Sequence, residues 1–144
     1  MSRSAELYLD ASVLVALLTN DALTPRADAF MRNNTPVLII SDFAATEFAS
    51  AIARRVRTSE ITANEARAGF SAFDVWVGRA TRREQINSTD ITVAEAFLRR
   101  LDLNLRTADA INIAIAQRAA AALFTFDEKM ASSARLLGTP VETG

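Results

Sequence analysis

The chain has 144 residues, a net charge of −1 and half its residues hydrophobic, with four Gly and three Pro. That length fits one domain with a full core, and that composition excludes a disordered chain. Neither Cys nor His occurs, which excludes disulfides, thiolate zinc sites, thiol nucleophiles and histidine acid–base catalysis. The remaining tools are carboxylates, hydroxyls, Arg, Lys129 and Tyr8, and carboxylates suit hard cations such as Mg²⁺ or Mn²⁺. The cations are fifteen Arg against one Lys. Arg makes bidentate contacts to phosphate, yet a pI near 5.5 gives no global basic footprint for nucleic acid. No apolar run reaches membrane-span length. The N-terminus, with one early Arg3, lacks a signal-peptide pattern, so the expected location is the cytoplasm.

In chain order, residues 6–9 read as a short buried strand ending at Asp10. Val13 to Leu18 reads as a helix with Ser12 as N-cap. Thr24-Pro25 opens another, with Thr24 as cap, ending near Asn33-Asn34. Val37 to Ile40 is β-branched and suits a central parallel strand. Ser41-Asp42 starts a helix in which Phe48, Ile52 and Val56 recur every four residues, with Glu47 beside the stripe. Arg54, Arg55 and Arg57 close it favourably for its dipole.

Thr62 and Glu65 match a capping box. The helix they start carries Ala66, Phe70, Phe73, Trp76 and Val77 and ends near residues 79–83, forming a hairpin with its predecessor. Gln85-Ile86-Asn87 is a weak edge-strand candidate. Thr92 and Glu95 match a second capping box, starting a helix with Ala96, Phe97 and Leu101. Thr107 is placed to cap a helix running to about residue 121. Leu123 to Phe126 reads as a strand ending at Asp127, which also caps a helix stopped by Gly138. Pro140-Val141 suits a last edge strand. Strands alternating with helices imply a three-layer α/β/α sandwich on a parallel sheet.

In such sheets ligands bind beyond the carboxyl ends of the strands. Asp10 and Asp127 read as occupying equivalent places there, each at the end of an apolar strand and before a helix. Glu47 starts from the same edge. Asp109 lies in the first turn of its helix, with a weaker claim to that edge. Each acid also has an ordinary explanation: a turn or cap for Asp10 and Asp127, a dipole partner for Asp109, a solvated helix residue for Glu47. Convergence on one edge is what stability does not require, because clustered carboxylates repel unless a cation neutralises them.

Leu7 to Ser12, Ile40 to Glu47, Leu105 to Ala110 with Ile113-Ala114, and Phe124 to Asp127 together resemble the PIN-domain ribonucleases, and within them the VapC toxins of toxin–antitoxin pairs. The resemblance spans nearly the whole chain, read as a single domain over residues 1–144. It implies a five-stranded sheet of order 3-2-1-4-5. It implies that Asp10, Glu47, Asp109 and Asp127 are catalytic and hold one or two Mg²⁺ or Mn²⁺ ions, with Ser12 and Thr125 supporting them. Asn112 stands where many relatives carry His, one turn from Asp109, and could bond Asp109 or substrate. The implied activity is metal-dependent cleavage of structured RNA, tRNA first. The implied partners are a small antitoxin and a second copy of the chain, for either of which the Phe70–Trp76 helix is one place to look, core packing being its other explanation. Arg54, Arg55, Arg57, Arg82 and Arg83 are candidates for gripping RNA phosphates. The competing readings are a non-catalytic PIN-like binding module and a PIN nuclease of RNA processing outside any toxin pair. A phosphate-accepting receiver-like domain fits poorly, since Asp10 is followed by Ala11-Ser12 rather than a second acid.

Overall fold

The computed structural model describes residues 5–144, so Arg3 lies outside it. Five strands are present: β1 Glu6–Leu9, β2 Val37–Ser41, β3 Thr81–Glu84, β4 Ala122–Phe124 and β5 Val141–Glu142. They pair in parallel, in the order β3-β2-β1-β4-β5. Around them lie α1 Ala11–Leu18, α2 Thr24–Asn33, α3 Asp42–Arg57, α4 Ala63–Ala80, α5 Ser88–Arg99, α6 Thr107–Arg118 and α7 Glu128–Leu136. This is the α/β/α sandwich and the strand order the resemblance implies. No helix among the described residues is long and apolar enough to cross a membrane.

The strand alternation divides the core in two. Leu7, Leu9, Leu38, Ile40 and Phe124 face a layer containing Val13, Leu14, Phe48, Ile52, Phe73 and Val77. Tyr8, Ile39 and Leu123 face the other side, against Ala94, Ile111, Ile113, Ile115, Met130 and Ala134. Residues Ala110 to Ala116 are all buried, because α6 is apolar around most of its circumference and lies between the sheet and α5. Phe48 stacks on Phe73 with centroids 4.4 Å apart and meets Phe70 edge-on at 6.4 Å. Phe70 and Trp76 are partly buried against the same layer, so the aromatic stripe of α4 packs on the core.

Several local expectations need correction. The edge strand is Thr81–Glu84 rather than residues 85–87. It has no apolar signature because it pairs only with β2 and sits at the rim, where charged side chains discourage further pairing. Helix α5 starts at Ser88, capped by Asn87 in a reciprocal box with Asp90. Thr92 is therefore interior, and its hydroxyl bonds back to the Ser88 carbonyl. Leu101 falls outside α5 with a positive φ of 68°. Thr24 is the first residue of α2 rather than its cap; its hydroxyl accepts from Asp21 N–H and donates to the Ala16 carbonyl. Helix α6 stops at Arg118, and Ala120 turns with φ 54°. The helix start at Ser41-Asp42, the Thr62–Glu65 box and the Asp127 cap are as read from the sequence, and Ser41 is the cap of α3.

Candidate active site

β1 is the central strand, so whatever follows Leu9 emerges mid-edge. Asp10 takes up extended geometry and its N–H donates to the Phe124 carbonyl at 3.2 Å. Its side chain, not that of Ser12, caps α1: Oδ1 accepts from Val13 N–H at 3.2 Å. Ser12 instead sits in the first turn and donates its hydroxyl to Oδ1 at 2.6 Å. Oδ2 accepts from the Thr125 hydroxyl at 2.5 Å. The carboxylate is 5% exposed and, among the described residues, forms no salt bridge.

The register corrects the equivalence drawn between Asp10 and Asp127. Leu9 pairs with Phe124, so the residue beside Asp10 is Thr125, and Asp127 lies two positions beyond. Thr125 Oγ1 also accepts from Asp127 N–H at 3.0 Å. Asp127 Oδ1 caps α7 through Lys129 and Met130 N–H at 3.0 and 3.1 Å. Thr125 thus ties one acid to the backbone of the other.

Glu47 sits one and a half turns into α3. Its Oε1 accepts from Asn112 Nδ2 at 2.6 Å, so Asn112 serves Glu47 rather than Asp109. Asp109 accepts from Arg106 N–H at 3.1 Å and lies 3.8 Å from Arg106 Nε. Arg106, not Thr107, occupies the cap position of α6.

The fields of these acids overlap. Burial raises the Asp10 pKa first of all, and the charge of Asp127 adds to it. The bonds from Ser12, Thr125 and Val13 pull against that shift. Burial likewise raises Glu47, with Asp10 and Asp109 adding and the Asn112 bond opposing. Asp10 feels the charge of Asp127, and Glu47 feels those of Asp10 and Asp109. Among the described residues, no three of them close around a single point at ion-binding distance.

The sequence profile of the PIN domain matches residues 7–136. The chain belongs to the PIN domain family. Among proteins with curated descriptions, no sequence match to the chain is found. The fold is similar to that of Mycobacterium tuberculosis VapC20, a sarcin–ricin-loop-cleaving toxin. The TM-score is 0.72 at 20% identity, over 88% of this chain and 94% of that one. It is similar to DNA-bound VapBC from Salmonella typhimurium, with TM-score 0.69 at 13% identity over 96% and 97% of the two chains. It is also similar to PAE2754 from Pyrobaculum aerophilum, with TM-score 0.66 at 18% identity over 96% and 84%.

In this PIN domain the acid edge opens onto a groove of about 690 Å³ whose lining includes Ser12, Glu47, Arg54, Arg57 and Arg106. Arg106 also lines a smaller recess of about 390 Å³ with Asp109, Asp127 and Lys129. It therefore stands between the groove and the two outer acids. The other arginines singled out in the sequence lie elsewhere. Arg55 is paired with Asp21 at 3.1 Å, Arg82 pairs with Glu6 at 3.4 Å, and Arg83 is exposed on β3. None of the three lines the groove.

Arg106 was not singled out in the sequence, and Tyr8, named there only as one of the available reactive groups, was not placed at the site. Arg106 precedes the Thr107–Ala110 turn and carries no signal beyond its charge. The Tyr8 hydroxyl, buried beneath the acids, contacts Ser41 and Asn112. The available hint was a phenol between Leu7 and Leu9 in a buried strand, since a buried hydroxyl needs a partner.

Proposed function

We propose that this PIN domain is a metal-dependent endoribonuclease, the toxin of a toxin–antitoxin pair. The observation that carries the reading is Asp10: a buried carboxylate with only neutral donors, in the field of further acids, beside an Arg-lined groove. The donor set is all oxygen and suits Mg²⁺ or Mn²⁺. Its spread is compatible with ions of this class, which bind through one or two carboxylates and complete their shell with water and substrate phosphate. Asp10, Glu47, Asp109 and Asp127 are the residues that would hold them. When bound, the ion lowers the pKa of a water and stabilises the leaving oxygen of an in-line displacement at phosphorus.

The chain's own residues do the rest. Ser12 and Thr125 lock both oxygens of Asp10, so its rotamer is set before any ligand arrives. Asn112 does the same for Glu47. Arg54, Arg57 and Arg106 offer guanidinium groups along the groove for phosphates on either side of the cleaved bond. With no His in the chain, attack by the ribose 2′-hydroxyl of the histidine-ribonuclease kind lacks its usual base and acid.

An antitoxin partner is supported by similar folds solved as VapBC from Salmonella typhimurium and as a toxin–antitoxin complex from Klebsiella pneumoniae. A homodimer is proposed with it, in the cytoplasm. The test is incubation of purified protein with tRNA and with a sarcin–ricin-type RNA stem-loop, with Mg²⁺ or Mn²⁺ and with EDTA. Cleavage leaving 5′-phosphate and 3′-hydroxyl ends, lost in EDTA and in Asp10→Asn, supports the proposal. Cleavage that persists in excess EDTA sinks it. A PIN nuclease outside any toxin pair would cleave equally well but would not be silenced by a protein encoded beside it.

A further inference from the structure

Tyr8 is fully buried, and nothing in the proposed chemistry uses it. Its ring packs in the layer with Ile39, Ile113 and Leu123. Its hydroxyl reaches the carboxyl edge of the sheet, 2.6 Å from Ser41 Oγ and 2.5 Å from Asn112 Oδ1. Asn112 Nδ2 in turn donates to Glu47 Oε1 at 2.6 Å and to the Ala108 carbonyl at 3.1 Å. Ser41 Oγ already accepts from Ala44 N–H at 2.9 Å.

Counting donors fixes the direction of this chain. Ser41 gives its proton to the Tyr8 oxygen, and Tyr8 gives its own to the Asn112 carbonyl. The Asn112 NH₂ is then turned toward Glu47. With the amide flipped, its oxygen would face a carboxylate oxygen at 2.6 Å and its NH₂ would face the Tyr8 hydroxyl. The three anchors come from different elements: Tyr8 from the strand that delivers Asp10, Ser41 from the cap of α3, and Asn112 from α6. Phenylalanine would fill the same space with no polar group to satisfy.

We infer that Tyr8 and Asn112 are positioning residues: the Tyr8 hydroxyl orients the Asn112 amide, which fixes the Glu47 carboxylate relative to the Asp10 strand. The consequence for ion binding rests on the proposed function, but the orientation itself does not.

The test compares wild type with Tyr8→Phe, Asn112→Ala and the double variant, each confirmed folded by circular dichroism. In ion-free protein, NMR should show slow exchange of the Asn112 side-chain amide protons in wild type, and exchange at least about tenfold faster in Tyr8→Phe. Mn²⁺ titrated calorimetrically should bind about tenfold or more weakly to each single variant, as expected for loss of a group that holds a ligand in place. The double variant should bind no more weakly than Asn112→Ala, because Tyr8 acts through Asn112. Wild-type amide exchange in Tyr8→Phe overturns the inference. So does Mn²⁺ affinity unchanged in both single variants, whatever happens to their melting temperatures. A wild type with a protected amide that neither binds Mn²⁺ nor cleaves RNA overturns the proposed function instead, and the amide exchange alone then decides the relay.

Discussion

Asp10→Asn removes one buried charge with almost no change of shape. The carboxylate is 5% exposed, and burial above all raises its pKa from an ordinary 3.8. A raised value means the folded protein keeps a proton that the unfolded chain has already lost. Stability therefore falls as pH rises from 3.8 to the folded value, and the whole penalty is present above that window. Asn is as good an N-cap as Asp, so its oxygen can keep the Val13 N–H and the Ser12 hydroxyl. Its NH₂ then meets Thr125 Oγ1, which becomes the acceptor, and the Thr125 proton is left with Met130 Sδ at 3.9 Å. That lost hydrogen bond costs about 1 kcal/mol. An unpaired buried charge costs several kcal/mol, so the net gain is on the order of 1–2 kcal/mol. For a chain of this size that is roughly 3–7 °C in melting temperature. Thermal unfolding followed by circular dichroism, near pH 8 and near pH 4.5, with EDTA and with Mn²⁺, reads it directly. In EDTA the variant should melt above wild type near pH 8, and the gap should narrow in acid. Mn²⁺ should raise wild type and leave Asp10→Asn nearly unmoved. A variant that melts below wild type near pH 8 in EDTA, or a gap that does not narrow in acid, refutes the reasoning.

Asp127 allows cap and ligand to be separated. Asp127→Asn should retain the α7 cap and most stability while losing cleavage, whereas Asp127→Ala should lose cleavage and a further ~1 kcal/mol in urea unfolding. Arg118 holds Asp90, which is 1% exposed, through bonds of 2.8 and 3.0 Å. Burial alone would raise the Asp90 pKa, and Arg118 with the Asn87 N–H more than reverses it. Arg118→Met should cost about 2–4 kcal/mol by chemical denaturation, at the low side for a broken buried pair because Arg118 is 30% exposed. Adding Asp90→Asn should recover part of that loss. Arg54→Gln and Arg57→Gln should each weaken binding of a non-cleaved RNA to Asp10→Asn protein and lower the salt slope by about one. Arg82→Gln, outside the groove, should change neither quantity, as measured by fluorescence anisotropy across a salt series.

The architecture was legible because helices and strands here keep clean periods. The run Val37 to Ile40 announces a central strand, and Thr62 with Glu65 announces a helix start. The missed strand β3 has the sequence Thr-Arg-Arg-Glu, whose only reason to be extended is β2 beside it. The caps went astray where side chains compete. Ser12 follows Asp10 by two residues, and either could cap α1. The structure gives the cap to Asp10 because its other oxygen is held by Thr125, 115 residues away in sequence. Asp10 and Asp127 are legible from their places at strand ends, and Ser12 and Thr125 through the family resemblance. The Tyr8–Asn112 and Asn112–Glu47 contacts were not, since they span 104 and 65 residues and depend on how α6 lies over the sheet.

The central place of β1 has a consequence for synthesis. The strand that carries Asp10 is made first, but the neighbour that completes it, β4, is made after most of the chain. Until the segment Ala122 to Asp127 has left the ribosome, Asp10 lacks the Thr125 hydroxyl and the adjoining acid, and one flank of β1 stays unpaired. A partly translated chain therefore carries Asp10 without its Thr125 anchor, and the acid edge is completed only when nearly the last strand docks.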